Sequence, residues 1–183
     1  LHASLAPSEM CIRDRLTPNV KTIGILYSSS EDNSKTQVEE FTTLAEKAGY
    51  KVLPYSVPST NEIASTMNVM TGKVDAIWIP IDNTIASAFS TVFSSNQTVK
   101  KPIYPSATAM VKEGGLGSVV VDQKELGVAT GKMTAKILKG AKPANTAVEI
   151  FNTGKTVINK KVAAQLGITV PDDVLKKAGQ VIE

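Results

Sequence analysis

Short apolar runs alternate with amphipathic segments through most of this chain, and that alternation constrains the fold more than any other feature. Residues 20–27 read VKTIGILY and residues 74–80 read VDAIWIP, and both runs are rich in β-branched side chains. Such runs are typical of strands that are buried on both faces of a parallel sheet. Between them, Val38, Phe41 and Ala45 recur at helical spacing, which predicts an amphipathic helix.

Further short strands are predicted at residues 51–57, 102–105 and 118–121. Pro54 cannot donate a hydrogen bond to a ladder and therefore favours an edge position for the second strand. Gly49 stands where a left-handed residue would end the first helix. The repeated order of strand, helix and short loop predicts right-handed βαβ crossovers. The sequence therefore predicts a three-layer α/β/α Rossmann-like fold with a mostly parallel sheet.

The pattern changes after Asp122. One long amphipathic helix is predicted around residues 126–139, and a lone strand is predicted at residues 147–151. Two short helices are predicted to follow, one over residues 160–166 and one after Pro171, which suits the first turn of a helix. No apolar stretch approaches the roughly 20 residues that a bilayer-spanning helix needs.

Residues 1–16 differ in composition from the rest of the chain. His2 and Cys11 are the only histidine and cysteine, and Arg13 and Arg15 are the only arginines, since every later basic residue is lysine. The segment also lacks the basic start and apolar stretch of a signal peptide. We therefore expect residues 1–16 to be foreign to the protein or disordered.

Composition argues against several classes of function. The chain carries 20 basic and 17 acidic residues, a net charge of +3, without a dense lysine run, so no nucleic-acid partner is expected. After residue 16 it has neither histidine nor cysteine for a nucleophile–base pair or a zinc site. The glycines at 114, 115 and 117 precede a strand instead of opening a helix, so they do not form a dinucleotide loop. No enzymatic activity, cofactor or metal is predicted.

Polar residues follow the predicted strands, where they would lie at the carboxyl edge of the sheet. Ligands of open parallel sheets bind at this edge. The candidate ligand-binding residues are Tyr27, Ser28, Ser29, Glu31, Asn33, Ser34, Asp82, Asn83, Thr84, Ser106 and Asp122. The sequence therefore predicts a binding site for a small molecule.

Several of these residues also have a purely structural interpretation. Asn33 or Ser34 can cap the first helix, and Asp82 or Asn83 can cap the helix after the third strand. Asp82 could alternatively pair with a ligand ammonium group. Trp78 lies in the middle of a strand, so we expect it in the core. Ser106 and Asp122 can simply form turns.

Four segments resemble one known family. They are LTPNVKTIGILYSSSEDNS from residue 16, KVDAIWIPIDNTIAS from residue 73, DQKELGVATGKMTAKILKG from residue 122 and NKKVAAQLGITVPDDVLKKA from residue 159. Their order is that of the ABC transporter substrate-binding proteins that include tryptophan- and tyrosine-type binding components. The resemblance implies a type I periplasmic-binding-protein fold, in which a small ligand is held between two lobes that close about a hinge.

The resemblance also implies a division of the chain. Residues 17–122 and 153–183 would form the second lobe, and residues 123–152 would belong to a first lobe that is largely missing. The apolar stripe of the helix at 126–139 would then lie exposed or pack opportunistically on another surface; its members are Leu126, Ala129, Met133 and Ile137. Gln123 and Lys124 depart from the family, which often has aromatic residues there.

The resemblance further implies an amino-acid ligand, an ABC permease as partner and a monomeric full-length protein. It places that protein outside the cytoplasm, either in a periplasm or lipid-anchored. A ligand-sensing regulator or receptor domain of the same fold is an alternative interpretation. A small α/β enzyme is a further alternative from a different class.

Overall fold

The computed structural model describes residues 6–147, 149 and 154–183. The strands in these ranges are β1 (Thr22–Ser28), β2 (Lys51–Val57), β3 (Ala76–Ile79), β4 (Ile103–Pro105), β5 (Gly117–Val120), β6 (Lys155–Asn159) and β7 (Gln180–Ile182). The helices are α1 (Ala6–Leu16), α2 (Asp32–Lys47), α3 (Ile63–Thr71), α4 (Asn83–Ser87), α5 (Phe89–Asn96), α6 (Thr108–Glu113), α7 (Gln123–Leu138), α8 (Lys160–Gln165) and α9 (Asp172–Lys177). Single 3₁₀ turns lie at Thr60–Glu62 and Pro143–Asn145.

The first four strands form one parallel sheet in the order β2-β1-β3-β4. Strand β2 lies at an edge, as Pro54 predicted, because an edge strand leaves one row of backbone groups without a ladder partner. Gly49 ends α2 with a φ of +88°, which confirms the predicted left-handed position. The predicted helix after the third strand is interrupted at Ala88, where α4 ends and α5 begins.

Helices cover both faces of this sheet and create two apolar cores. Ile23 and Ile25 of β1 face the core that contains Phe41 of α2, whereas Leu26 faces the core that contains Met67 of α3. Because successive strand side chains point to opposite faces, one continuous apolar strand supplies both cores. The three-layer α/β/α arrangement predicted from the sequence is thereby confirmed.

Trp78 lies in the core, as its position in the strand predicted. Its indole stacks on the ring of Phe41, with ring centroids 4.0 Å apart and an interplanar angle of 8°. Both side chains are buried, with 4% and 2% of their surface exposed. The stack joins β3 to α2 and so fixes the helix that carries part of the candidate site.

The fifth strand differs from expectation. Strand β5 lies in a second sheet of order β5-β6-β7, where it pairs antiparallel with β6 instead of extending the parallel sheet through a ladder. The two sheets still meet, because Leu116 N–H donates to the carbonyl of Ile103 at 2.8 Å. Strands β6 and β7 were not predicted, since each is short and lies among polar residues that show no clear period-two pattern.

The expectation of disorder at residues 1–16 is wrong for Ala6–Leu16, which forms helix α1. Ile12 and Leu16 are buried in the core on the α2 face of the sheet. The guanidinium of Arg13 lies over the ring of Tyr50, 3.6 Å from its centroid. These contacts give the helix a place in the fold, which local composition could not indicate.

Helix α7 packs against the core on the α2 face through Leu126, in its first turn. None of its residues is buried, and Val128 and Leu138 are 49% and 82% exposed. The members of the predicted apolar stripe are half-buried, namely Leu126, Ala129, Met133 and Ile137. The strand predicted at 147–151 lies largely outside the described residues.

In the described part of the chain, none of the helices is both long and apolar enough to cross a membrane. The same residues contain no group of three or more histidine, cysteine, aspartate or glutamate side chains that could hold a metal ion.

Candidate functional site

The loops after β1 and β3 lie side by side at the carboxyl edge of the parallel sheet, and Asp82 ties them together. Its Oδ2 accepts hydrogen bonds from the backbone N–H of Ser28 at 2.6 Å and from Oγ of Ser34 at 2.8 Å. Its Oδ1 accepts from the N–H of Ile85 at 2.9 Å, so Asp82 is also the N-cap of α4. Asp82 is only 2% exposed. The predicted capping role is confirmed, and the carboxylate is fully used inside the protein.

Glu31 makes a second connection between the same loops. Its Oε2 accepts from the N–H and the side-chain amide of Asn83 at 3.1 and 3.2 Å. Its Oε1 accepts from the N–H and Oγ1 of Thr84 at 2.7 and 2.8 Å. Partial burial raises the pKa of Glu31, but these hydrogen bonds together outweigh it and leave the pKa below its ordinary value.

The first turns of α2 hold the backbone of the loop after β3. Asn33 Nδ2 donates to the carbonyl of Ile81 at 2.8 Å, and Ser34 Oγ approaches the same oxygen at 3.4 Å. The capping role considered for Asn33 or Ser34 is wrong, because α2 begins at Asp32 and its N-cap is Glu31, whose side chain makes no cap hydrogen bond. Both side chains reach across to the neighbouring loop instead.

Gln37 belongs to this connection and was not predicted. The N–H of Ile81 donates to Gln37 Oε1 at 3.1 Å, and Gln37 Nε2 donates back to the carbonyl of Ile81 at 3.4 Å. Gln37 lies four residues after Asn33, on the same face of α2. The four-residue spacing from Asn33 is the sequence signal from which Gln37 could have been predicted.

The other predicted residues of the first loop line the same edge. Ser28 is buried, and its Oγ lies 2.7 Å from Oγ of Ser30. Ser29 is exposed, and its N–H donates to the carbonyl of Val57 at 2.9 Å. Tyr27 is half-buried at the end of β1. These residues lie at the carboxyl end of β1 and at the start of the loop that follows it.

Ser106 follows β4 at the same edge of the sheet. Its N–H donates to the carbonyl of Ile79 at 2.9 Å, which continues the ladder to β3. Its side-chain oxygen is buried without a hydrogen-bond partner among the described residues, and the residue is 7% exposed. Buried hydroxyl groups nearly always have a partner, so an unpaired one is unusual. The Ser106 oxygen is therefore open to a further hydrogen bond at this edge.

Asp122 lies elsewhere, at the end of β5 in the second sheet. Its Oδ1 caps α7 by accepting from the N–H groups of Lys124 and Glu125 at 2.9 and 3.2 Å. Its Oδ2 pairs with Nζ of Lys155, the first residue of β6. This hydrogen bond lowers the pKa of Asp122, and the backbone N–H groups lower it further. Asp122 thus joins the chain segments that leave and re-enter the second sheet.

The arrangement fixes two loops at the edge of the sheet. The carboxylates of Glu31 and Asp82 each accept several hydrogen bonds from other residues of these loops. The hydrogen bonds fix the loops before any ligand arrives. A preformed edge lowers the entropy cost of ordering loops on binding.

Replacing Glu31 with Gln is expected to lower the free energy of unfolding at neutral pH by about 1–2 kcal/mol, since hydrogen bonds to a charged acceptor are weakened. The depressed pKa of Glu31 fixes the sign of the pH dependence. Its contribution is complete above the ordinary glutamate pKa of about 4.3 and is lost as the pH falls through the lower folded value. Urea unfolding should be measured at neutral pH and in acid, below the folded pKa of Glu31. The difference in free energy of unfolding between Glu31→Gln and the parent should be smaller in acid.

The matched control is Glu46→Gln, an exposed position near the far end of α2. It should change stability little at either pH. An equal effect of the two substitutions would show that the contacts of Glu31 do not stabilise the loop.

Comparison with known proteins identifies the family. The family model for ABC transporter substrate binding proteins matches residues 6–182, and the match begins inside the segment expected to be foreign. A tyrosine-binding protein from Clostridioides difficile is 30% identical over 145 residues, which cover 79% of this chain and 42% of that protein. The matched family is one of substrate-binding proteins, in agreement with the prediction of a non-enzymatic function.

Solved structures agree in fold. The ABC domain in complex with L-Trp from Streptococcus pneumonia is 70% identical with a TM-score of 0.93, over 99% of this chain and 61% of that one. A conserved domain protein from Vibrio cholerae O1 biovar eltor is 32% identical with a TM-score of 0.90, over 97% and 60% of the two chains. The chain thus spans less than two thirds of the length of these relatives and has the type I periplasmic-binding-protein fold. It belongs to the ABC transporter substrate-binding protein family.

Proposed function

We propose that this chain is part of an extracytoplasmic solute-binding component of an ABC importer, and that its ligand is an amino acid with an aromatic side chain, L-Trp foremost. The observation that carries this proposal is the 70% identity to a chain in complex with L-Trp. The parent protein would act in a periplasm or at the cell surface through a lipid anchor. An ABC permease would be its membrane partner.

Ligand contacts on this part of the protein are proposed for the carboxyl edge of the parallel sheet. Ser106 supports the proposal because its buried hydroxyl is free to bond a ligand. Tyr27 is the aromatic residue at the end of β1 and could contact a ligand ring. Gln123 and Lys124 are exposed on the first turn of α7, so they supply no aromatic surface.

The remaining predicted residues divide by their contacts. Ser28, Ser34 and Asp82 are buried and bond one another, so we assign them to positioning the loops. The exposed or half-buried ones lie where a ligand can reach them. This set consists of Ser29, Glu31, Asn33, Asn83 and Thr84. Asp122 is assigned to the crossing between lobes.

A two-lobed parent follows from the same proposal. Residues 17–122 and 153–183 would form one lobe, and α7 would pack on the other. The exposure of Val128 and Leu138 supports this division, since an isolated amphipathic helix gains little without a surface to cover. We propose that these two side chains of α7 are covered by the first lobe of the same protein.

Closure about a hinge would couple binding to transport. A ligand that contacts both lobes stabilises the closed form by its higher affinity for that form. The pair formed by Asp122 and Lys155 supports a hinge at this place, because it joins the segment that leaves β5 to the segment that begins β6. The closed form would then dock on the permease.

The proposal is tested by calorimetric titration of L-Trp, L-Tyr and a panel of other amino acids into this chain and into a two-lobed parent. The parent should bind an aromatic amino acid and gain about 2.7 kcal/mol of stability at a hundredfold excess over Kd. The chain alone should bind weakly, because it supplies one side of the cleft.

Each outcome has a distinct meaning. Submicromolar binding by the chain alone would overturn the division into lobes. Failure of every amino acid to bind the parent would overturn the ligand class, and tight binding of a sugar or purine would replace it.

A further inference from the structure

A pocket of about 230 Å³ lies at the edge of the sheet opposite the candidate site. It is enclosed by the C-terminal end of α5, the turn after α6 and helix α8. Residues 97–101 lead from α5 to the start of β4, which places the pocket at the amino ends of the parallel strands. It therefore shares no residue with the loops after β1, β3 and β4.

The floor of the pocket is apolar and depends on one glycine. Gly114 has a φ of +148°, and a Cβ added to it would lie 2.1 Å from Cδ2 of Phe93. Only glycine allows the ring to lie directly on the backbone at this point. Val162 and Leu166 of α8 complete the apolar surface. The floor can accept an aromatic or branched group.

The rim of the pocket carries positive charge. Lys100 and Lys101 line it together with the side chains of Gln97 and Gln165. Among the lining residues that the structure describes there is no carboxylate, and neither lysine forms an ion pair. Two lysines on one rim, with no carboxylate among the lining residues, raise the local potential for an anion.

A buried asparagine, Asn96, fixes the backbone that carries these lysines. Asn96 Nδ2 donates to the carbonyl of Lys101 at 2.7 Å, and Asn96 Oδ1 accepts from its N–H at 3.0 Å. The N–H of Lys100 donates to the carbonyl of Asn96 at 2.7 Å, and Lys100 has a φ of +55°. This left-handed conformation is uncommon for a residue with a Cβ, so the turn is specified by its contacts. The backbone of the rim is therefore fixed before any ligand binds.

One carboxylate acts on the rim from outside the pocket. Asp75 is the carboxylate that interacts electrostatically with Lys101, and it accepts from the backbone N–H groups of Lys21 and Thr22 at 3.0 and 2.8 Å. It does not line the pocket. An anion entering from solvent would meet both lysines.

We propose that this pocket binds a small monocarboxylate with an aromatic or branched apolar group. The carboxylate lies between Lys100 and Lys101, and the apolar group lies on Phe93 and Leu166. A carboxylate close to two cations and an apolar group on a preformed floor each favour binding. The site is separate from the amino-acid cleft and does not depend on its ligand.

The test uses the ¹⁵N-labelled chain and two acids, phenylacetate and isovalerate, followed by amide chemical shifts. At least one acid should give saturable shifts at Gln97, Lys100 and Gln165. Phenylacetamide, which has the same shape as phenylacetate without its charge, should bind about tenfold more weakly because it loses the ionic contact. Equal affinity for acid and amide, or no saturable shift with either acid, would overturn the proposal.

A pair of double variants separates this site from general attraction of anions. Lys100→Gln with Lys101→Gln should weaken binding of the acid about tenfold. Lys51→Gln with Lys73→Gln makes the same change in net charge at exposed positions outside the pocket and should leave affinity nearly unchanged. Equal losses in both variants, or shifts confined to the loops after β1 and β3, would show that no acid site exists here.

Discussion

Replacing Asp82 with Ala should lower the free energy of unfolding by about 3–5 kcal/mol, one of the two largest effects we expect in this protein. The carboxylate is buried and accepts three hydrogen bonds, from Ser28, Ser34 and Ile85. Alanine leaves those donors without an acceptor and removes the cap of α4. Urea unfolding monitored by Trp78 fluorescence measures the loss. The melting temperature should fall by roughly 10 °C for a chain of this size.

Two further substitutions calibrate that result. Asp82→Asn retains one oxygen but turns an amide N–H toward a donor, so it should recover only part of the stability. Asn83→Ala changes the exposed neighbour and should cost less than about 1 kcal/mol. If Asp82→Ala cost no more than Asn83→Ala, the connection between the two loops would contribute nothing to the fold.

Replacing Phe41 with Ala should have a comparable effect, about 3–5 kcal/mol, through a different cause. Phe41 is buried and stacks on Trp78, the only tryptophan of the chain. Removing the ring leaves a cavity beside the indole that the core cannot fully close. Trp78 emission should therefore shift to the red in the folded protein, and denaturant unfolding followed by circular dichroism should report the lost stability.

A double-mutant cycle isolates the stacking contribution. Phe41→Leu, Trp78→Leu and the double variant keep most of the apolar volume, and their coupling should be about 0.5–1.5 kcal/mol. Coupling near zero would mean that the rings contribute only by their buried area. An unchanged emission maximum in Phe41→Ala would mean that the core refills the space.

The Phe41–Trp78 stack and Asp82 both position the carboxyl edge of the sheet. The stack holds α2 against β3, and Asp82 holds the loop after β3 against the start of α2. The carboxyl edge is therefore positioned from both the core and the surface. A binding edge built in this way presents its free groups, such as the hydroxyl of Ser106, in a fixed geometry.

Much of the architecture could be predicted because its signals are local. The apolar run from residue 20 specifies β1, the spacing of Val38, Phe41 and Ala45 specifies α2, and Pro54 specifies an edge strand. The family resemblance extended this prediction to a substrate-binding protein. The candidate loops were found because the strands that precede them were found.

The local signals failed where the structure depends on remote partners. Strand β6 forms because it pairs with β5 and β7, and its five residues carry too little pattern to be found alone. Helix α1 is held by contacts with the core, although its composition suggested disorder. The capping role of Asn33 or Ser34 was wrong because α2 begins at Asp32, and both side chains reach the carbonyl of Ile81, far along the chain.

The sequence by itself determined the strands of the parallel sheet, the helix after the first strand and the order of polar loops, since hydrophobic period and turn residues act over a few positions. Only the tertiary structure decided what each polar side chain does. Ser28 and Asp82 are 54 positions apart, and Glu31 and Thr84 are 53 apart, yet each pair is in hydrogen-bond contact. Whether a carboxylate binds a ligand or a neighbouring loop depends on which donors the folded chain brings within about 3 Å, and a linear pattern does not contain that distance.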